Sequence, residues 1–168
     1  MPVPRVDLPL LDARALEALV RGDLEAASAA AGVALPAWFS ENELLWTLRF
    51  GQLVGEPGHA PWLTRVVVDA ATGTAVGLAG FHGPPDERGM VEIGYEISPE
   101  HRRRGFGRAA VAWLVDHARA DGGVAVVRAS VAPGNVASLA LVDRLEFVQV
   151  GEQLDEVDGR ELVFERKV

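Results

Sequence analysis

The spacing of hydrophobic residues divides the chain into a helical first part and a longer part in which strands and helices alternate. Apolar residues recur at helical intervals over three segments: 12–21, 23–32 and 41–52. Asp12 and Asp23 stand where N-terminal caps belong, and the sequence Ser-Glu-Asn-Glu at 40–43 has the form of a capping box. The Pro- and Gly-rich segment 56–61 predicts a loop. We therefore expect residues 1–62 to be mainly helical.

The rest of the chain predicts a mixed sheet. Hydrophobic runs bounded by turn residues place strands at 63–68, 75–81, 90–97, 124–131, 147–151 and 161–166. Helices with an apolar stripe are expected at 105–120 and 136–144. The run 124–131 is almost wholly apolar, which favours burial on both faces. Asp158 and Gly159 predict the turn before the last strand. This order is typical of an α/β fold of the α+β kind, with a mixed sheet and flanking helices.

Composition narrows the class of protein. With 168 residues, 49% of them hydrophobic and 24% charged, the chain is expected to fold as a single globular domain spanning residues 1–168. The absence of Cys excludes disulfides, thiolate metal sites and a cysteine nucleophile. No apolar run has the length of a membrane span and the N-terminus lacks the pattern of a secretory signal, so we expect a cytoplasmic protein without a membrane partner.

Charge singles out one segment. The formal net charge of −8 disfavours nucleic acid as a partner, yet residues 101–108 read His-Arg-Arg-Arg-Gly-Phe-Gly-Arg. This segment follows a predicted strand and opens a predicted helix, where unpartnered N–H groups and the helix dipole favour an anion. Gly105 and Gly107 allow close approach to the backbone, and arginines add charge-assisted hydrogen bonds. The pattern predicts a pyrophosphate site, although it matches neither a Walker loop nor a dinucleotide fingerprint.

The same segment carries a family resemblance. The sequence VEIGYEISPEHRRRGFGRAAVAWLVDHA resembles the acetyl-CoA motif of the GNAT superfamily of N-acetyltransferases. Arg102, Gly105 and Gly107 match its Arg/Gln-x-x-Gly-x-Gly/Ala signature. Within the superfamily, the chain is most similar to the branch of ribosomal-protein N-terminal acetyltransferases. The resemblance covers about the last two thirds of the chain.

A second segment, PGNVASLALVDRLEFV, is similar to the family's Asn-x-x-Ser/Ala helix and the Gly-Phe that follows it. Asn135, Ser138 and Phe147 match this pattern, whereas Glu146 stands where the family usually has Gly. A Tyr that many members carry in this helix is replaced here by Val142. The departure at Glu146 puts the entry to the next strand in doubt.

The resemblance implies a fold and a cosubstrate. The fold would be a mostly antiparallel twisted sheet with a V-shaped opening, between the strand ending at Ile97 and the strand 124–131, that takes acetyl-CoA. No metal is implied. Residues 63–168 would form the cofactor-binding core and residues 1–62 the acceptor side. The residues that would bind the cofactor are Ile97, Arg102, Arg103, Arg104, Gly105, Phe106, Gly107, Arg108 and Asn135.

The resemblance also implies direct attack of an amine on the thioester, without an acyl-enzyme. The amine must be neutral to attack, so a general base is expected. Glu92 is the first candidate, with Glu96 and His82 as alternatives, and Ser138 is the candidate hydrogen-bond or proton donor to the leaving thiolate. Tyr95 is expected to serve packing. The acceptor would be a peptide N-terminal α-amine or a small-molecule amine, and a homodimer is a further expectation.

Two other classes of function stay open at this point. The lost Tyr at Val142 permits a non-catalytic acyl-CoA-binding or interaction module on the same scaffold. The arginine cluster permits a nucleic-acid binder, against which the net charge of −8 argues. Thiol release with a panel of amines separates the enzyme from the binding module, and the salt dependence of affinity tests the third class.

Overall fold

A mixed sheet with helices on both faces organises the chain, in a computed structural model that describes residues 3–156 and 159–168. The helices are α1 (Ala13–Val20), α2 (Leu24–Ala31), α3 (Glu43–Gly55), α4 (Phe106–Ala120) and α5 (Val136–Arg144). The strands are β1 (Val6–Asp7), β2 (Arg65–Asp69), β3 (Thr74–Phe81), β4 (Met90–Ile97), β5 (Val126–Val131), β6 (Val148–Asp155) and β7 (Gly159–Lys167). Short 3-10 helices lie at Ala37–Glu41, Pro57–Trp62 and Pro99–His101.

Within the described ranges the sheet has seven strands in the order β1-β2-β3-β4-β5-β7-β6. Every neighbouring pair runs antiparallel except β4 and β5, which are parallel. The predicted mixed, mostly antiparallel sheet is therefore confirmed. Because α4 connects β4 to β5, the one parallel pair is formed by a crossover through a helix, as parallel strands require.

Two hydrophobic clusters, one on each face of the sheet, hold the helices. On one face, Val111 and Leu114 of α4 are fully buried in a cluster with strand residues such as Val91 and Val127. On the other face, helices α1 to α3 pack on strand residues that come from β2 and β3, Leu78 among them. Helices α1 to α3 thus cover only the part of this sheet face that β2 and β3 form. Among the described residues, the apolar cluster beneath these helices contains none from β4 to β7.

The third helix begins later than the capping-box pattern predicts. Residues 40–43 do not cap it, because Ala37–Glu41 forms a 3-10 helix and α3 begins at Glu43. The cause is packing: the Trp46 indole N–H donates to the Phe39 carbonyl oxygen at 2.6 Å, and the two rings stack 5.4 Å apart. Burial of this aromatic pair fixes the turn between the two helices.

The fifth strand also differs from its prediction. Only alternate residues, Val127, Ala129 and Val131, are buried along β5, so burial on both faces is wrong. The other face carries Arg128 and Ser130, which pair with polar groups of neighbouring strands.

Strand β1 and the 3-10 helix at Pro57–Trp62 were not predicted. The predicted turn falls partly on Asp158, which lies outside the described residues.

Helix α5 ends in a left-handed turn that explains the departure at Glu146. Glu146 has φ 60°, its N–H donates to the Asp143 oxygen at 3.0 Å, and the Phe147 N–H donates to the Val142 oxygen at 3.0 Å. These two bonds are those of a Schellman motif, in which Gly is the preferred left-handed residue. Glu146 therefore adopts a backbone conformation that favours Gly, the residue that the family usually has here.

Replacing Glu146 with Gly is expected to stabilise the fold by about 1 kcal/mol, because a left-handed residue with a Cβ costs roughly 1–2 kcal/mol and glycine entropy offsets part of the gain. The Glu146 carboxylate lies 3.7 Å from Arg166 and is 84% exposed, so its loss costs little. In thermal unfolding this gain corresponds to a Tm rise of about 2–4 °C.

Glu146→Ala is the matched control, since it removes the same carboxylate and keeps the Cβ in the left-handed conformation. Its Tm should stay at or below that of the wild type. Equal stabilisation by Ala and Gly would show that the charge, and not the backbone conformation, is the source of the effect.

Candidate active site

Strands β4 and β5 pair over their first halves and then separate. Their parallel ladder joins residues 90–93 to residues 126–129, although β4 continues to Ile97 and β5 to Val131. We call the space beyond the last pair, between residues 94–97 and 130–131, the β4–β5 opening. It is the sheet interruption that the family resemblance implied.

The backbone of β4 turns polar groups into this opening. The Ser98 N–H donates to the Val76 oxygen at 3.0 Å, which directs the even-numbered residues of β4 toward β3 in the antiparallel ladder. The N–H and C=O groups of Tyr95 and Ile97 therefore face β5, beyond the point where β5 pairs with them. An extended ligand segment can bond to such groups as an added strand would.

Helix α4 starts beside the opening, and its first N–H groups have no side-chain cap. Gly105 precedes it with φ 90° and no capping hydrogen bond, whereas Asp12, Asp23 and Asn135 cap α1, α2 and α5. A Cβ on Gly107 would lie 3.2 Å from a Leu141 methyl, 3.7 Å from Ile97 and 3.8 Å from Tyr95. The missing side chain therefore lets the first turn of α4 lie close to the end of β4 and to α5.

The arginines of the motif surround this helix start. All four are exposed and form no ion pair with another described residue: Arg102, Arg103, Arg104 and Arg108. The Arg102 Nε donates to the Ile97 carbonyl oxygen at 2.8 Å, so this side chain bridges the strand end to the loop. The Arg104 guanidinium lies 5.5 Å from the Phe106 ring centroid. The cluster offers unneutralised positive charge to an anion.

Two hydroxyl groups lie on the α5 side of the opening. Asn135 caps α5 by accepting the Ser138 N–H at 3.1 Å. The Tyr95 hydroxyl is buried, and no group among the described residues forms a hydrogen bond of good geometry with it. The Ser138 side chain is nevertheless close enough to affect its pKa. Burial raises the pKa of Tyr95 and the Ser138 hydroxyl lowers it by a smaller amount. Tyr95 therefore stays a neutral hydrogen-bond donor at pH 7.

The opposite face of β4 carries a chain of polar contacts. The Ser130 hydroxyl donates to the Glu92 Oε1 at 2.5 Å. The Gln153 amide donates to the Ser130 oxygen at 3.1 Å and to the Glu161 carboxylate at 2.9 Å. Glu92 is thus held in place across the base of the opening by residues of β5, β6 and β7.

His82, at the end of β3, lies on the same face. A Cβ on Gly94 would lie 2.9 Å from the His82 Nε2, so the imidazole occupies the space that this glycine leaves on β4. Arg49 and Gln52 of α3 both donate to the His82 carbonyl oxygen, at 3.1 and 3.0 Å. Helix α3 therefore anchors the backbone of His82, and the residue as a whole is exposed.

The charges around His82 act in opposite directions. Although the residue is exposed, the groups that crowd the imidazole desolvate it and lower the pKa of His82, and the buried Arg49 guanidinium lowers it further. The carboxylates of Glu92, Glu161 and Asp155 raise it, Glu92 most strongly. The net direction is downward from the ordinary value of about 6.5. The ring is therefore neutral at pH 7 and able to accept a proton.

The structure gathers the predicted cofactor residues around the β4–β5 opening, namely Ile97, the segment 102–108 and Asn135. Glu92 and Ser138 lie on opposite sides of β4 near that opening. No register shift interrupts the β3–β4 ladder, so Glu96 lies on the same face of β4 as Glu92. Its side chain is exposed. The sequence did not point to Ser130 as a partner of Glu92. Its one signal was a hydroxyl in a strand whose other members, apart from Arg128, are apolar.

The described residues lack two other kinds of feature. No group of three or more His, Cys, Asp or Glu side chains there is arranged to hold a metal ion. No helix within the same ranges combines the length and the apolar character needed to cross a bilayer.

Comparison with known sequences identifies the domain. The family described as an acetyltransferase (GNAT) domain matches residues 16–148. The uncharacterized N-acetyltransferase YjdG of Bacillus subtilis (strain 168) is 32% identical over 94 residues, which are 56% of this chain and 54% of that protein. The uncharacterized N-acetyltransferase p20 of Bacillus licheniformis is 31% identical over 85 residues, or 51% and 48%. The match spans about half the length of these relatives.

Solved structures share the fold. The ribosomal-protein-S5-alanine acetyltransferase of Vibrio fischeri superposes with a TM-score of 0.69 at 18% identity, covering 99% of this chain and 95% of that one. Mycobacterium smegmatis RimJ, solved in complex with CoA-disulfide, gives a TM-score of 0.69 at 20% identity and covers 97% and 82%. The family match over residues 16–148, which are most of its length, shows that the chain belongs to the GNAT family of acetyltransferases.

Proposed function

We propose that the protein is an acetyl-CoA-dependent N-acetyltransferase that moves the acetyl group directly to an amine. One observation carries the proposal: the β4–β5 opening meets the uncapped start of α4, beside arginines that have no carboxylate partner. A ligand with an extended arm joined to a pyrophosphate matches this combination, because the arm can lie in the opening while the pyrophosphate meets the helix start. The RimJ structure, whose bound ligand is CoA-disulfide, supports the same assignment.

The cofactor contacts follow from the geometry. The N–H groups at the start of α4 would bind the pyrophosphate, with the side chains of residues 102–104 and Arg108 adding charge. The backbone of Ile97 would bond to the pantetheine arm, which requires the Arg102 side chain to leave the Ile97 oxygen or to share it. Asn135, at the start of α5, would bind from the other side of the opening while it caps the helix.

The chemistry needs a neutral amine and a stabilised leaving thiolate. Holding an α-amine of pKa near 8 deprotonated at pH 7 costs about 1.4 kcal/mol, and a lysine-type amine near 10.4 costs about 4.6 kcal/mol. Glu92 promotes loss of the amine proton from one side of β4. Ser138 donates a hydrogen bond to the sulfur as the carbon–sulfur bond breaks, and the absence of Cys agrees with direct transfer.

The acceptor is proposed to be a cationic amine in solution. Glu92, Glu161 and Asp155 act together on His82 beside the opening, and this negative field raises the local concentration of a cation. A peptide N-terminal α-amine is the first candidate, in keeping with the ribosomal-protein-S5-alanine acetyltransferase of the same fold. A basic small-molecule amine is the second.

Acetyl transfer to a panel of N-terminal peptides, polyamines and aminoglycosides, read as thiol release and as a mass increase of the acceptor, tests the activity. Turnover with at least one amine is expected. Binding of acetyl-CoA without transfer to any of them would favour the non-catalytic acyl-CoA-binding module instead.

Gly107→Val is expected to lower the affinity for CoA at least tenfold, because the new side chain would press against Leu141, Ile97 and Tyr95 and shift α4 relative to the opening. Titration calorimetry with CoA measures the effect, and circular dichroism verifies the fold. Gly122→Val, just beyond the other end of α4, is the matched control because its Cβ would meet nothing within 4 Å. Unchanged CoA affinity in a folded Gly107→Val protein would contradict the site.

Arg103→Ala is expected to weaken CoA binding several-fold without abolishing it, since exposed side chains add charge to contacts made mainly by backbone N–H groups. The loss should shrink as salt is raised. Arg14→Ala on α1 removes an equal charge from a distant exposed position and should leave the affinity unchanged. Complete loss from Arg103→Ala would show that the backbone is not the main anchor.

Glu92→Gln is expected to lower kcat tenfold or more while acetyl-CoA affinity stays within twofold, because the change removes negative charge near the amine and leaves the phosphate contacts intact. Steady-state kinetics with the best acceptor, paired with calorimetry, separates the two quantities. Glu25→Gln on α2 supplies the equal charge change at a remote surface. Wild-type kcat in Glu92→Gln would remove Glu92 from the mechanism.

A further inference from the structure

His82 places a titratable ring over the middle of β4, on the face of the strand that carries Glu92. Its Nε2 lies 2.9 Å from the position that a Gly94 Cβ would take. Gly94 is the first residue of β4 beyond the last pair with β5, which joins Ile93 to Ala129. The ring therefore lies over the point where the strands separate and where the proposed site brings the reacting groups together.

Several contacts fix the His82 backbone at this position. Its N–H donates to the Glu92 carbonyl oxygen at 2.9 Å, and its carbonyl oxygen accepts from Arg49 and Gln52 of α3. Arg49 is 6% exposed and also donates to the Thr64 hydroxyl at 3.1 Å. A buried arginine that holds a loop backbone in this way positions the imidazole without pairing with the ring itself.

Glu92 is already engaged as a hydrogen-bond acceptor. Its Oε1 accepts the Ser130 hydroxyl at 2.5 Å, and Ser130 in turn accepts from Gln153. A carboxylate is also a weaker base than an imidazole by about two pKa units in their ordinary states. Base catalysis is most effective when the pKa of the base lies near the working pH.

We propose that His82 is the general base of the reaction and that Glu92 acts through it, by stabilising the imidazolium that forms. The assignment rests on the proposed acetyltransferase function and refines its catalytic step. The amine nitrogen bonds to the acetyl carbon and the carbon–sulfur bond breaks, so that the electron pair leaves with sulfur. The proton from nitrogen passes to a ring nitrogen of His82, which returns it to water, and the thiolate is protonated from solvent.

The charges that face His82 come from every neighbouring element. Arg49 of α3 opposes the imidazolium, whereas Glu92 of β4, Asp155 of β6 and Glu161 of β7 favour it. Protonation of His82 removes the base, so kcat should rise with pH through a limb below about pH 6.5. This limb should keep its position when acceptors with different amine pKa values are compared at saturation.

The test compares the pH dependence of kcat for the wild type, His82→Ala and Glu92→Gln. His82→Ala should lose about 100-fold in kcat at pH 7 and lose the acidic limb, and added imidazole should restore part of the rate. In Glu92→Gln the limb should remain and move to lower pH, because the carboxylate that raises the pKa of His82 is gone.

The outcomes are distinguishable from a failure of the proposed function. Absence of transfer by the wild-type protein would overturn the function itself. If the wild type is active, loss of the limb in Glu92→Gln together with its persistence in His82→Ala would make Glu92 the base. Unaltered acetyl-CoA affinity in His82→Ala, measured by calorimetry, excludes a folding defect as the cause of lost turnover. An intact rate in that folded variant would overturn the role of His82.

Discussion

The short ladder between β4 and β5 is the constraint on which the site depends. Four residue pairs hold the two strands together, after which each continues along a different partner, β4 along β3 and β5 along β7. Because the outer partners remain bonded to the end, the separation leaves backbone groups of Tyr95 and Ile97 facing an opening while the sheet stays intact. If β4 and β5 paired along their whole length, these backbone groups would be bonded to the neighbouring strand and none would be free for a ligand.

The packing around the sheet keeps this opening in place. Helix α4 is held by buried Val111 and Leu114, so its uncapped N-terminus stays beside the strand ends. On the other face, helices α1 to α3 cover β2 and β3, and α3 reaches the end of β3 through Arg49 and Gln52. One face of the separation thus presents the uncapped start of α4, its arginines and two hydroxyl groups, while the other presents an imidazole among carboxylates.

The sequence predicted the parts of this arrangement that depend on local pattern. The Gly-x-Gly start of α4 and the caps at Asp12 and Asp23 could be derived from nearby residues. The boundary before α3 could not, because it depends on the Phe39–Trp46 stack, which is a packing contact. The contact of Ser130 with Glu92 spans 38 positions, and the approach of His82 to Gly94 depends on the register of β3 with β4. Such contacts become visible only when strand neighbours are known.

Amide chemical-shift mapping of the nitrogen-15-labelled protein during titration with coenzyme A tests most directly whether the strand separation is the binding site. The largest shifts are expected at Tyr95, Ile97 and residues 105–108, where backbone N–H groups face the opening or begin α4. Residues of the β6–β7 hairpin should change little. Shifts concentrated in that hairpin or on α1 and α2, with residues 95–108 unmoved, would contradict this location.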